Sequence, residues 1–136
     1  MAGMKCDIVT PEALLVSEDA EMVVVPGVEG SMGFLVGHEP LVSALSDGEV
    51  RVKSAEDGSV RSYALQGGYV EVSAEKVIVL ANRAVAKADI KVDEVKAKLA
   101  EVEASLAKLS AEEADGTTLK DDKSWCEAQL MVAQAA

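Results

Sequence analysis

VRVKSAEDGSVRSYALQGGYVEVSAEKVIVLA, residues 50–81, decides the fold. In its first run Val50 and Val52 point one way while Arg51 and Lys53 point the other, the two-residue period of a half-buried strand. Glu56, Asp57 and Gly58 interrupt the alternation, and an Asp-Gly step between alternating runs is a strong hairpin signal. SAEK, residues 73–76, plays the same part between GYVEVS and VIVLA. Working outward, MKCDIVT and EMVVVP extend the series of short β-type runs toward the N-terminus. Turn signals every eight to twelve residues or so predict a small antiparallel sandwich or flattened barrel.

Near Asp89 the period changes. Val92, Val95, Leu99, Val102, Leu106 and Leu109 alternate spacings of three and four, which sets them on one stripe of a helix. A flanking row, Ala97, Ala100, Ala104, Ala107 and Ala111, is small enough to admit a neighbouring backbone. DGTT, residues 115–118, provides a break and a Ser/Thr-type N-cap, after which LKDDKSWCEAQLMVAQA continues as a second helix with Leu119, Cys126, Leu130 and Ala133 as its apolar set and Trp125 and Met131 alongside. The prediction is an α+β chain, a sandwich followed by an antiparallel two-helix hairpin. Burying one apolar stripe barely offsets the entropy of ordering the helices, so the hairpin is expected to be able to leave its resting place.

The composition narrows function by exclusion. Among 136 residues, 13 basic and 24 acidic side chains leave a net charge of -11, which disfavours nucleic acid and anionic membrane surfaces as partners. Aromatic residues make up 3%, so the core must be built from Val, Leu, Ile and Ala. Cys6 and Cys126 are lone thiols with neither a CxxC pair nor a second histidine, which argues against zinc and a disulfide framework and for reduced thiols in a cytosolic compartment. The opening MAGMKCDIVTPEALL lacks a basic segment followed by a long apolar run, and no apolar run approaches the ~18 residues of a membrane span.

No group of residues assembles an active site. Gly27, Gly30 and Gly33 in PGVEGSMGF match neither GxxxxGK nor GxGxxG, and read as a turn between strands. His38, the only histidine, has no Ser or Cys nucleophile in a recognised elbow and suits an anchored turn or a partner contact. Adjacent carboxylates such as Glu112 and Glu113, or Asp121 and Asp122, point to different sides of a helix and are not acid/base pairs. The residues alone describe a non-enzymatic interaction protein with no catalytic, metal or cofactor site.

The order of three motifs, IVTPE at residues 8–12, VVVPGVEGSMGFLVGHEPLVSAL at 23–45 and GGYVEVSAEKVIVLANRA at 67–84, with the helical tail, resembles the epsilon subunit of F-type ATP synthases, the counterpart of the mitochondrial delta subunit. The resemblance implies a β-sandwich of about ten strands over residues 1–87 and a helical hairpin over 88–136. It implies a non-catalytic central-stalk subunit that links the gamma subunit to the c-subunit ring, carries rotation, and sits peripherally on the cytoplasmic face of the bacterial inner membrane. Membrane contact would be indirect, through the complex. Carried over by motif, Val28, Glu29, Gly30, Ser31 and Met32 would meet the ring, whose loops offer polar and basic groups. Ser31 stands where relatives often have an acid, which leaves Glu29 as the charge. His38, Pro40 and Leu41 would lie against gamma. Relatives also use the hairpin as a brake on ATP hydrolysis against the catalytic alpha and beta subunits, but here Leu119 to Ala136 offers only Lys120 and Lys123 as basic groups, so regulation is expected to be weak. Some relatives bind ATP at an I/L-D-x-x-R-A motif. VDEVKA matches it with Lys96 in the arginine position, and lysine cannot form a planar fork, so Val92, Asp93 and Lys96 read first as a helical turn and only second as a nucleotide site. The alternative to the rotor subunit is a free-standing adaptor or nucleotide-sensing module.

Overall fold

The computed structural model describes residues 3–135. Seven strands come first: β1 Met4–Val9, β2 Leu14–Gly27, β3 Gly30–Leu35, β4 Leu41–Leu45, β5 Gly48–Ser54, β6 Val60–Val72 and β7 Lys76–Ala86. A single 3-10 turn, Lys87–Asp89, leads into helices α1 Val92–Leu106, α2 Ala111–Asp115 and α3 Leu119–Gln134.

The expected count of about ten strands becomes seven because three strands are long and change face partway. In β2 the inward residues are Val16 and Ala20, then Val23 and Val25, with the phase slipping at a bulge between Ala20 and Met22. In β6 they are Tyr63 and Leu65, then Val70 and Val72, and the slip falls at Gly67 and Gly68, with φ of 47° and 117°. In β7 they are Val77, Val79 and Ala81, then Ala84 and Ala86. Each bent strand therefore serves both layers, and counting half-strands restores ten. One layer runs β3, the second half of β2, β5, the first half of β6 and the second half of β7. The other runs the first half of β2, β1, the first half of β7, the second half of β6, and β4.

The pairing is antiparallel with one exception. β1 lies parallel to β7, from Lys5 opposite Lys76 to Val9 opposite Leu80, so the sheet is mixed where alternation alone predicted an antiparallel one. A parallel pair needs a long crossover, and the five strands between β1 and β7 supply it.

Between the layers lies a valine-rich core in which Val23, Val25, Val50, Val52, Val70, Val77 and Val79 are fully buried, with Phe34 as the large aromatic. The Asp-Gly turn closes as expected: Asp57 Oδ1 accepts from the Ser59 amide at 2.9 Å and the Ser59 hydroxyl at 2.7 Å. At the SAEK turn, the Ser73 amide donates to the Lys76 carbonyl at 2.8 Å.

α3 lies against β5 and the first half of β6, and α1 packs on α3, so the hairpin forms a third and a fourth layer on one face of the sandwich. Five residues of the predicted stripe, Val92, Val95, Leu99, Val102 and Leu106, lie on α1 and are buried or half-buried, with Val95 and Val102 deepest; the sixth, Leu109, is half-buried but follows the end of the helix at Leu106. The alanine row, in contrast, faces outward, because α3 already occupies the neighbouring side. On α3 the buried residues are Cys126, Ala128 and Val132, while Met131 is 53% exposed. The connection holds the extra helix α2, whose Ser110 and Glu113 form a capping box missed in the S-x-x-E pattern of the sequence. Thr118 is the residue before α3 but makes no side-chain cap; its hydroxyl donates to Asp122 at 3.1 Å, and Thr117 Oγ1 accepts from the Leu119 amide instead.

Candidate functional site

The β2–β3 turn projects Val28 and Glu29 into solvent, and Gly30, with φ of 129°, takes a conformation that glycine tolerates. Val28 is tied back by its amide, which donates to the Ala44 carbonyl at 3.2 Å, so the tip is braced on β4. Of the five residues assigned to ring contact, Val28, Glu29, Gly30 and Ser31 are exposed, while Met32 is half-buried and packs against the core.

The GHEPL segment, residues 37–41, turns the chain from β3 into β4. Gly37 has φ of 87° and its amide donates to the Ala74 carbonyl at 2.8 Å. The His38 ring stands edge-on to Phe34 with centroids 4.9 Å apart, and its Nδ1–H donates to the Glu39 carbonyl at 2.6 Å. A ring held by an edge contact and at one nitrogen fixes a turn. Pro40 is exposed and Leu41 half-buried against the core, so His38, Pro40 and Leu41 form one edge of a surface.

That surface is the face of the second layer, opposite the hairpin. Register places Ala44 beside Tyr69, Tyr69 beside Leu80, Leu80 beside Val9 and Val9 beside Leu14, an apolar row crossing five strand segments. Tyr69 is 58% exposed, Leu80 42% and Leu14 59%, and Val42, one pleat away on β4, is 66% exposed. A recess of about 620 Å³ beneath the row is lined by Val9, Ala44, Tyr69 and Leu80 among others. Among the described residues the helices lie elsewhere, since α3 packs on β5 and β6 and α1 on α3. A contiguous, rigid apolar face of this kind marks a protein-docking surface. Motif reading reached only its His38 edge. The missed signal is that LVSAL and VIVLA are apolar at both strand phases, which is expected when both faces are covered.

The third candidate group is dispersed. Val92 is half-buried at the start of α1, while Asp93 and Lys96 are exposed on that helix. Val92, with Tyr63, Ile90 and Ala133, lines an open recess of about 660 Å³ to which neither Asp93 nor Lys96 contributes. The thiols are buried apart. Burial, together with Glu18 and Asp7, pushes Cys6 up to about 12, and burial raises Cys126 also, so both are held as unreactive thiols. Among the described residues no cluster of three metal-ligating side chains occurs, and no helix is long and apolar enough to cross a membrane.

The model of the ATP synthase delta/epsilon chain β-sandwich domain matches residues 3–87. The sodium-ion-specific ATP synthase epsilon chain of Propionigenium modestum is 40% identical over 85 residues, 62% of this chain and 61% of that one. The epsilon chain of Campylobacter fetus is 47% identical over 85 residues, 62% of this chain and 65% of that one. The match thus spans less than two thirds of the length of these relatives. Among solved structures, a chain of the Euglena gracilis mitochondrial ATP synthase OSCP/F1/c-ring assembly shares the fold at a TM-score of 0.80 and 22% identity, covering 99% of this chain and 83% of that one. A chain of the Tetrahymena thermophila mitochondrial central stalk and c-ring follows at 0.63 and 12%, covering 96% of each. With the family model matched over residues 3–87, more than half of its length, the chain belongs to the ATP synthase delta/epsilon chain family.

Proposed function

We propose that this chain is a non-catalytic epsilon-type subunit of a proton-translocating rotary ATP synthase, clamped between the gamma subunit and the c-subunit ring and turning with them. The observation that carries the reading is the uncovered apolar row from Ala44 through Tyr69 and Leu80 to Val9, bordered by the GHEPL turn, on a closed sandwich. Torque is carried by surfaces that do not shear, and a close-packed sandwich meets that need where a loop would not. Gamma takes the apolar row with His38, Pro40 and Leu41. The ring takes the braced tip at Val28, Glu29, Gly30, Ser31 and Met32, with Glu29 as the charge. Attachment to the cytoplasmic face of a bacterial inner membrane is then peripheral, through the ring alone.

The hairpin's reach toward the alpha and beta subunits makes at most a weak brake, for α3 carries Lys120 and Lys123 against Asp121, Asp122 and Glu127, and Lys120 is already paired with Asp115 at 2.6 Å. ATP as a regulatory ligand finds poor support, because Asp93 and Lys96 stand outside the recess that Val92 lines. Pull-down titration against purified gamma and, separately, against purified ring tests the assignment. Binding to gamma weakened by Tyr69→Lys, and binding to the ring weakened by Glu29→Lys, support it; failure to bind either partner overturns it.

A further inference from the structure

The run GGYVEVS, residues 67–73, carries one acid that the stalk reading leaves unused, Glu71. On the same outer face as the apolar row, one pleat along, register places Val42 beside Glu71, Glu71 beside Ile78, Ile78 beside Asp7 and Asp7 beside Ser17. The two acids of this second row differ. Asp7 has a cation, for Lys76 Nζ lies 3.5 Å from its Oδ2, and its side chain is mostly buried. Glu71 is exposed, and among the described residues no lysine or arginine pairs with it. Its surroundings on the face are apolar: Val42 and Ile78 stand across the neighbouring strands, and Tyr69 two residues back along its own. Beyond it stands the GHEPL turn, because the Gly37 amide is bonded to the Ala74 carbonyl just past the end of β6. A partner that seats on both the apolar row and that turn therefore covers Glu71.

We propose that one cationic side chain of gamma pairs with Glu71, so that the partner surface is an apolar patch with a single lysine or arginine set in it. This rests on the docking of gamma given above. In the free chain water solvates the carboxylate. Under a docked apolar surface it loses that water, and an ionised carboxylate buried without a counter-charge is strongly destabilising. A wholly apolar partner is thus disfavoured and one with an acid at that point is rejected, whereas a positioned cation compensates the lost hydration and fixes the register of docking. Asp7 makes no such demand, since Lys76 already faces it. The requirement falls on Glu71 alone, and it selects a partner opposite in sign to a chain whose net charge is -11.

Surface plasmon resonance of purified gamma over the immobilised full chain, with the fold of each variant checked by circular dichroism, tests the pairing. Glu71→Gln keeps the shape of the side chain and leaves the cation of gamma unpaired. It is expected to raise the dissociation rate about tenfold or more with little change in association, as for a desolvated charge pair. Glu71→Lys, which sets like charges against each other, should weaken binding at least about a hundredfold. Glu101→Gln makes the same change of net charge on the exposed side of α1 and should leave both rates unchanged. If gamma binds the wild type and Tyr69→Lys weakens it, yet Glu71→Gln binds as tightly or more tightly, the pairing is refuted while the docking face stands. Slower association alone in Glu71→Gln, or an equal effect of Glu101→Gln, also refutes it, since the acid then acts only through the overall field of the chain. A wild type that does not bind gamma removes the docking face and the pairing together.

Discussion

The sandwich and the hairpin are built from similar residues and stabilised in opposite ways. In the sandwich seven valines lose all exposure and each layer closes on the other, so no strand can leave without exposing the core. In the hairpin Val102 and Val132 are buried to a comparable degree, but the helices are stacked on one outer face of the sandwich, with polar groups such as Ser124 and Asp47, and Gln66 and the Asp121 carbonyl, at the contact. Burial per residue therefore does not measure how firmly a region is held; what matters is whether its interface closes on itself or can be peeled away. One region is suited to carry load, the other to move.

The largest expected effect breaks the sandwich at its elbow. A Cβ on Gly68 would sit on the Leu80 carbonyl at a φ of 117°, so Gly68→Ala should cost about 3 kcal/mol or more, or prevent folding, as read by urea denaturation. Next, Val79→Ala should lower global stability by roughly 2 to 3 kcal/mol, while Val132→Ala should leave the sandwich transition in place and accelerate exchange in the helices alone. If both valines shift one common transition equally, the contrast between the regions is lost. A smaller effect is expected at the turn before β4. His38→Ala removes the Phe34 edge contact and the bond to the Glu39 carbonyl, costing about 1 kcal/mol in stability and weakening gamma binding without unfolding the chain.

The smallest effect is a pH dependence that each region shows at its own turn. Asp57 is held below its ordinary 3.8 by the Ser59 amide and hydroxyl, and Glu113 below its ordinary 4.5 by the Ser110 amide and hydroxyl. A lowered folded-state pKa gives stability that is full above the ordinary value and is lost as the pH falls through the lowered one. Ser59→Ala and Ser110→Ala should each flatten the acid limb of the stability profile slightly, the first in the sandwich transition and the second in helix content by circular dichroism. Unchanged acid limbs would remove these two turns from the account.

Much of this was legible in residues 50–81, where alternation and the Asp-Gly and SAEK steps gave strands and turns that the structure keeps. The α1 stripe was legible too, because a spacing of three and four leaves only one face to bury. What escaped was non-local. Nothing in MKCDIVT says that β1 will run parallel to β7, since that pairing is set by the closure of the barrel-like layers. The change of face at Gly67 and Gly68 left a signal, two adjacent glycines inside a strand pattern, but periodicity counted the two halves as separate strands. The docking face was half visible: the GHEPL turn stood out by motif, while Tyr69 and Leu80 become neighbours only once register is known. The half-buried Asp47–Ser124 contact joins residues too far apart in sequence for any local pattern to link them.

Isothermal titration of purified gamma into the full chain, wild type against Tyr69→Lys with its fold verified by circular dichroism, tests the docking face most directly. The account predicts that the wild type binds and that one lysine in the middle of the apolar row weakens binding at least about tenfold. Equal affinity for the two proteins, or no binding by the wild type, would contradict it.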